Sequence, residues 1–319
     1  MKIAIIGTGV YSTSLTYLLQ KQKDNTIYLW TEQEKLIEPF QKSRKFNFLS
    51  NKIKFDNNVF LTTSMETCLE DASIIFLLIG SKFFHTTLEQ IKPYYKKNIP
   101  IFVGTKGMDL EKGEFFSNIT RKYLKCNSYT FFAGPTFAKE ITKNKPVYFT
   151  FAGSNKIGYR KINQIFPETV ITEFTNDLYG LELISTLKNI YAIGSGILKG
   201  LKVTDGVYYA YMVQIIKETN EIIKKVYGTS TTLYTYGGLG DLLMTSNCDT
   251  SRNFSLGNLY GSKVKKEIIE KYKKENTIEG LENLKNIPFF LEKLKLKDTI
   301  ISKIYQIIYQ QKEPKTLYM

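Results

Sequence analysis

Lys188 is the only charged residue in the stretch Leu183–Leu198, which reads Leu-Ile-Ser-Thr-Leu-Lys-Asn-Ile-Tyr-Ala-Ile-Gly-Ser-Gly-Ile-Leu. A lysine inside a nearly all-apolar helix is costly to desolvate unless its ammonium has a partner or a task. One such task is that of a cationic acid at an anionic site; the alternative is a snorkelling side chain whose ammonium reaches water. The chain has a single histidine, His85, which reads as an ordinary surface or interface residue and leaves no His-based metal site or Ser–His relay. Acid–base chemistry therefore falls to Lys, Asp, Glu, Tyr or Cys. Cys68, Cys126 and Cys248 show no metal-ligand spacing and read as free thiols.

A second group of residues points to anion binding. In Gly237-Gly238-Leu239-Gly240-Asp241-Leu242-Leu243-Met244-Thr245, Asp241 and Thr245 are spaced to share a helix face. Ser251-Arg252-Asn253 follows, and Asp249 or Thr250 suits the N-cap of a helix with these three in its first turn. Backbone N–H groups and Arg252 would then form an anion site; routine capping of a glycine-rich loop is the alternative. At the N-terminus, Gly7-Thr8-Gly9-Val10-Tyr11-Ser12 follows one apolar run and opens a helical pattern, the context of a dinucleotide fingerprint. Its first glycine permits a tight turn, and its second admits a pyrophosphate to the helix N-terminus. Ser12 takes the place of the third glycine.

These residues need a scaffold. Ile3–Ile6, Thr26–Trp30, Ile74–Ile79, Ile101–Val103 and Tyr129–Ala133 are short apolar runs suited to strands buried on both faces of a parallel sheet, and Val147–Ala152 adds a strand that finishes it. Gly104-Thr105-Lys106-Gly107-Met108 and Gly134-Pro135-Thr136-Phe137-Ala138 each follow a run, where ligands of open α/β sheets bind. From about Asp177 the pattern turns helical, over Leu178–Leu198, Ala210–Tyr227, Lys263–Asn276 and Ile300–Gln310. The expected fold is an α/β Rossmann-like N-terminal domain (1–177) followed by an all-α substrate-binding domain (178–319), with a frayed tail at Lys312–Met319.

Composition bounds the function. Hydrophobic residues at 43% and charged residues at 23% describe a globular protein. No apolar run approaches the roughly 20 residues of a membrane span, and the start reads as a buried strand rather than a signal peptide, so a cytoplasmic location is expected. The net charge of +14 attracts anions. It is spread along the chain without a basic helix or stacking platform, which favours phosphorylated metabolites over nucleic acid.

Taken together, the segments resemble bacterial-type NAD(P)-dependent glycerol-3-phosphate dehydrogenase. The matching pieces, in family order, are Gly7-x-Gly9 with Tyr11, Thr105-Lys106-Gly107, Gly134-Pro135-Thr136-Phe137-Ala138, Leu187-Lys188-Asn189, Gly238-Leu239-Gly240-Asp241 with Thr245, Ser251-Arg252-Asn253 with Gly257, and Ile278-Glu279-Gly280. The resemblance implies hydride exchange between NAD(P)H and dihydroxyacetone phosphate, giving sn-glycerol 3-phosphate for phospholipid synthesis, in a cytoplasmic homodimer. It makes Lys188 the proton donor and acceptor, has Lys106 assist at the carbonyl or bridge to the cofactor, and has Asp241 and Thr245 hold the lysine system and substrate hydroxyls. Ser251, Arg252 and Asn253 would hold the phosphate, and Gly134 and Thr136 would line the substrate. Gly7, Gly9, Val10, Tyr11, Ser12, Glu32, Ala138, Ile278 and Glu279 would face the cofactor, with Lys106 and Arg252 contributing.

The chain departs from the family at Ser12, and at Asp205-Gly206-Val207-Tyr208 and Gln214-Ile215, where the family carries Asn-x-Lys/Arg and Arg-Gly. Glu32 follows the first glycine at close to the ~20-residue spacing of the carboxylate that takes a ribose 2′-hydroxyl, so NAD(H) is favoured with NADP(H) possible; the alternative is a carboxylate that begins the next helix at its favourable N-terminal end, and Lys35 and Arg44 are the nearby cations that would favour a 2′-phosphate instead. The competing readings are a non-catalytic dinucleotide sensor and a related-fold dehydrogenase of another small acid.

Overall fold

Runs rich in Ile, Leu, Val and Phe build the first unit. In the computed structural model, which describes residues 1–106, 108–109, 112–226 and 228–318, eight strands form one sheet. They are β1 (Lys2–Ile6), β2 (Thr26–Trp30), β3 (Val59–Thr62), β4 (Ile74–Leu77), β5 (Ile101–Val103), β6 (Tyr129–Ala133), β7 (Val147–Gly153) and β8 (Val170–Thr175). Their order is β3-β2-β1-β4-β5-β6-β7-β8. Strands β4, β5 and β6 are buried at every position, as expected where helices cover both faces of a parallel sheet. Chain order reverses between β1 and β4, and the crevice beyond the carboxyl ends of such strands is the usual nucleotide position.

The sheet differs from the sequence expectation in three respects. The run at Ile74–Ile79 leaves the sheet after Leu77. The 147–153 strand does not finish the sheet: it lies antiparallel to β6, and β8 pairs outside it in parallel. Strand β3, on the other edge, alternates buried and exposed residues and so shows no continuous apolar run.

Contacts divide the chain into one unit of residues 1–105 and 117–178 and another of 106–116 and 179–319. The division expected at 177/178 is thus modified by one segment, 106–116, which groups with the helices. Met108 and Phe115 are buried in the apolar core of the helical unit, and Phe115 packs on Tyr179 with ring centroids 4.8 Å apart.

The helical unit is organised around the helix Leu178–Gly200, whose residues from Leu183 to Leu198 are buried. The next helix begins at Asp205, earlier than the pattern suggested, and runs to Lys225; Tyr227, the expected end, lies outside the described residues. The helices Lys266–Glu275 and Ile300–Tyr309 lie within the expected spans. The tail is held rather than frayed: Pro314–Leu317 forms a 3₁₀ turn, Leu317 enters the core, and Lys263 pairs with Glu313 at 2.9 Å. Met319 lies outside the described residues. Among the described residues no helix is long and apolar enough to cross a membrane.

The helices Leu178–Gly200 and Arg252–Gly261 meet backbone to backbone. A Cβ added at Gly257 would stand 1.9 Å from the Ile193 carbonyl oxygen, and one at Gly261 2.0 Å from that of Ile197. From the other side, a Cβ at Gly196 would stand 2.0 Å from the Phe254 carbonyl oxygen. The only relief is to part the helices and lose their packing. Gly206, by contrast, is an exposed helix residue with open space where a Cβ would stand. Gly257→Ala is therefore expected to destabilise the helical unit by about 1–3 kcal/mol or more. Gly206→Ala should stabilise it by about 0.5–1 kcal/mol. Urea unfolding followed in both variants checks the opposite signs.

Candidate active site

Lys188 sits midway along its helix with 1% of its surface exposed. Its ammonium does not snorkel: it pairs with the Asp241 carboxylate, which is equally buried. A π-helical turn at Tyr236–Gly240 delivers Asp241 to the start of the helix Asp241–Ser246. That turn lies so close to the preceding one that a Cβ at Gly238 would stand 2.4 Å from the Thr232 carbonyl oxygen. The Thr245 hydroxyl, one helical turn on, donates to the Asp241 carbonyl oxygen at 2.7 Å and approaches its carboxylate at 3.3 Å. The helix-face reading of Asp241 and Thr245 thus matches the geometry.

Burial pushes the Lys188 amine down to about 7, opposed by the Asp241 charge and reinforced by the ammonium of Lys106, which lies within hydrogen-bonding reach. Two amines and one carboxylate share the site, and an oxygen that gains negative charge there meets a net positive environment. A lysine poised near neutrality can both give and take a proton. Gly107, the next residue of the Lys106 motif, lies outside the described residues.

Ser251 is itself the N-cap of the helix Arg252–Gly261, its hydroxyl accepting from the Phe254 N–H, in place of the expected Asp249 or Thr250. A serine oxygen in extended backbone one residue before the helix meets the requirement that those two residues, further out, do not. Arg252 is exposed, and its guanidinium has no hydrogen-bond or ion-pair partner among the described residues. Asn253 is turned inward: its amide donates to Asn189 Oδ1 at 2.9 Å and accepts from the Gly280 N–H at 2.9 Å. Asn189 in turn donates to Glu279 at 3.2 Å. A Cβ at Gly280 would stand 2.7 Å from Asn253 Oδ1. Ile278 is buried as the N-cap of the helix Glu279–Lys285. The structure thus brings together Lys106, Lys188, Asp241 and Thr245 as one set. It joins Asn253 to Glu279 through Asn189, a residue adjacent to the lysine whose role the sequence reading missed. The signal was an amide in an otherwise apolar run.

The first unit holds the remaining predicted residues. Gly7 turns the chain out of β1 at φ +114°, and a Cβ there would stand 2.5 Å from the Leu78 carbonyl oxygen. Gly9 is the N-cap of the helix Val10–Leu19; no side chain caps it, and nothing nearer than the Ser12 hydroxyl at 3.9 Å meets a Cβ built there. An open, uncapped end on a ten-residue helix fits a dinucleotide pyrophosphate. Ser12 is buried and donates to the Gly9 carbonyl oxygen at 2.9 Å, so a small polar residue fills the third glycine position. Val10 is exposed, and Tyr11 reaches the Thr136 hydroxyl at 3.5 Å. Gly134 is required by its neighbour strand: a Cβ would stand 2.0 Å from the Tyr148 carbonyl oxygen. Ala138 opens a short helix.

Glu32 is exposed just beyond β2, 3.4 Å from the Gln90 amide. Arg44 is not available to a ligand there. Its guanidinium donates to the carbonyl oxygens of Phe55, Asp56 and Val59 and lies over the Phe40 ring.

Comparison with known proteins gives the family. Residues 2–157 match the N-terminal part, and residues 177–319 the C-terminal part, of the NAD-dependent glycerol-3-phosphate dehydrogenase family. A glycerol-3-phosphate dehydrogenase [NAD(P)+] of Maridesulfovibrio salexigens is 27% identical over 99% of this chain and 96% of its own length. The Malacoplasma penetrans enzyme of the same name is 28% identical over 98% of this chain and 94% of its own. The crystal structure of the Coxiella burnetii glycerol-3-phosphate dehydrogenase superposes with a TM-score of 0.90 at 24% identity, covering 99% of this chain and 97% of that one. The chain belongs to the NAD-dependent glycerol-3-phosphate dehydrogenase family.

Proposed function

We propose that this enzyme interconverts dihydroxyacetone phosphate and sn-glycerol 3-phosphate with Lys188 as the proton donor and acceptor. The buried Lys188–Asp241 pair beside Lys106 carries the reading. A dinucleotide sensor has no need of a proton donor held at such cost, and Arg252 favours a phosphate over a simple small acid. The nicotinamide, when bound, supplies or accepts the hydride. In ketone reduction the Lys188 ammonium gives its proton to the oxygen as negative charge develops there, and Lys106 stabilises that charge. In alcohol oxidation the neutral Lys188 amine removes the hydroxyl proton. Asp241, steadied by Thr245, keeps the ammonium aimed and favours its charged form, the proton itself coming from the alcohol in oxidation and from solvent after reduction.

Ser251, Arg252 and Asn253 are assigned to the phosphate, with the Arg252 guanidinium its main charged partner. Gly134 and Thr136 keep the substrate-lining role that the resemblance gives them. Gly7, Gly9, Val10, Tyr11, Ser12, Ala138, Ile278 and Glu279 are assigned to the cofactor. A cytoplasmic homodimer supplying glycerol 3-phosphate for phospholipid head groups completes the proposal.

NAD(H) is the favoured cofactor. Glu32 stands beyond β2, and the cleft of about 650 Å³ past β2 and β3 is lined by Glu34, Glu38 and Lys35, with Glu38 paired to Lys42. A 2′-phosphate would meet these carboxylates, whereas a ribose hydroxyl can donate to one of them. With Arg44 engaged elsewhere, this end of the unit offers little to a second phosphate.

Lys188→Met keeps most of the buried stem. It should lower kcat by about 10²–10⁴-fold while leaving cofactor affinity within about threefold. In the wild type, kcat for ketone reduction should fall as pH rises through the Lys188 midpoint of about 7, and kcat for alcohol oxidation should rise through it. A folded variant with wild-type kcat removes Lys188 from the chemistry. Arg252→Ala should raise KM for dihydroxyacetone phosphate by about 10–150-fold, the loss of a charge-assisted bond of roughly 1.5–3 kcal/mol, with little change in cofactor KM. Equal rises in both constants would overturn the assignment of Arg252 to the substrate phosphate. Finally, kcat/KM should favour NADH over NADPH in wild type and shift toward NADPH in Glu32→Arg; an NADPH-preferring wild type overturns the carboxylate reading.

A further inference from the structure

Lys106 reaches Lys188 from a segment that sequence places between β5 and the helix Phe116–Leu124 of the sheet unit, yet 106–116 packs with the helices. Described residues of the segment bond to one another. Asp109 and Glu114 exchange backbone hydrogen bonds at 3.0 and 2.9 Å, and the Asp109 carboxylate accepts from the Lys112 N–H at 3.1 Å. Gly113, at φ +62°, completes the turn beside the Lys293 side chain. Immediately outside this clasp stand two large apolar residues, Met108 and Phe115. Met108 is 5% and Phe115 9% exposed, and both enter the core formed around the Leu178–Gly200 helix. Phe115 packs on Tyr179, at the start of the helix that carries Lys188. Lys106 itself is two residues from Met108.

We propose that Met108 and Phe115 are positioning residues that hold Lys106 against Lys188, so that Lys106 and the catalytic helix act as one proton-transfer element. The proposal rests on the catalytic reading of the two lysines given above. Two amines that share one carboxylate repel when both are protonated, so the backbone that carries Lys106 needs a restraint that does not depend on their charges. Burial of two large side chains supplies that restraint. The charged groups facing Lys188 are Asp241 from the Asp241–Ser246 helix and Lys106 from the clasp. Asp241 holds Lys188 in its charged form, and Lys106 opposes it. Release of the clasp removes only the opposing group, so Lys188 then binds its proton more tightly and the descending limb of ketone reduction moves to higher pH.

The test uses Phe115→Ala, Phe115→Tyr and Lys106→Ala in the full-length enzyme. In lysine-labelled protein free of cofactor, the Lys188 side-chain resonance should titrate at higher pH in Phe115→Ala, in the same direction as in Lys106→Ala, while Phe115→Tyr titrates as wild type. Phe115→Ala should lower kcat at least tenfold, as expected when a catalytic group is misplaced by about 1 Å. In the Lys106→Ala background, it should lower kcat by less than about threefold, because its route of action is already gone. A wild-type titration of Lys188 in Phe115→Ala, or an equal loss of kcat in both backgrounds, overturns the proposal. Met108→Ala serves the same comparison if Phe115→Ala does not fold. Failure of the catalytic reading is separately visible as wild-type kcat in Lys188→Met.

Discussion

An ammonium removed from water by a helix of leucines and isoleucines is the feature around which the helical unit is arranged. Breaking a buried ion pair by deleting one partner costs about 3–5 kcal/mol, because the other charge is left without compensation. Asp241 must therefore be present, buried and correctly turned, and its neighbours follow from that need. The glycine-rich π turn brings the carboxylate in, and Thr245 fixes it. The glycine seam between the Leu178–Gly200 and Arg252–Gly261 helices lets the backbone carrying Ser251 and Arg252 approach the lysine helix as closely as two backbones can. The same burial lowers the Lys188 amine from its ordinary value toward neutrality, against the pull of the Asp241 charge.

Neutral amides connect what the charges cannot. Asn189 follows Lys188 in sequence and sits in a chain of hydrogen bonds from the Gly280 N–H through Asn253 to Glu279. Each asparagine side chain both donates and accepts, so it can link two elements without the desolvation cost of another ion. The helices that begin at Arg252 and Glu279 are thereby tied to the helix that carries Lys188, and glycine is the residue type that fits at position 280, where a Cβ would stand 2.4 Å from the Asn189 carbonyl oxygen.

Much of this was readable in advance, for reasons that differ by element. The inner strands announced themselves because burial on both faces demands uninterrupted apolar residues, and β2, β5 and β6 have the bounds their runs suggested. The edge strands β3 and β8 are half-solvated, so Val59–Thr62 and Val170–Thr175 resemble ordinary loop flanks. Lys188 was conspicuous because a lone charge in an apolar run is costly, and Asp241 because of its glycine-rich approach. The seam had a signal that was passed over: Gly196 and Gly200, and likewise Gly257 and Gly261, are each four apart, which puts each pair on one helix face. The assignment of 106–116 to the helical unit had no local signal, since it depends on long-range packing of Met108 and Phe115. The Ser251 cap was missed by one or two residues, the usual uncertainty of a helix boundary.

That long-range packing also has a bearing on how the molecule comes into being. A chain emerges from the ribosome in order, and its domains generally fold as units as they appear. The 106–116 segment is synthesised with the sheet unit but finds its partners only when residues beyond 178 have emerged and their core has begun to close. Until then Met108 and Phe115 have no core to enter and remain apolar side chains exposed to solvent. The nascent enzyme therefore passes through a stage in which the sheet can be complete while one of its loops still waits, open to chaperones and to proteolysis. The lysine pair, separated by many residues of synthesis, is among the last features of the molecule to be assembled.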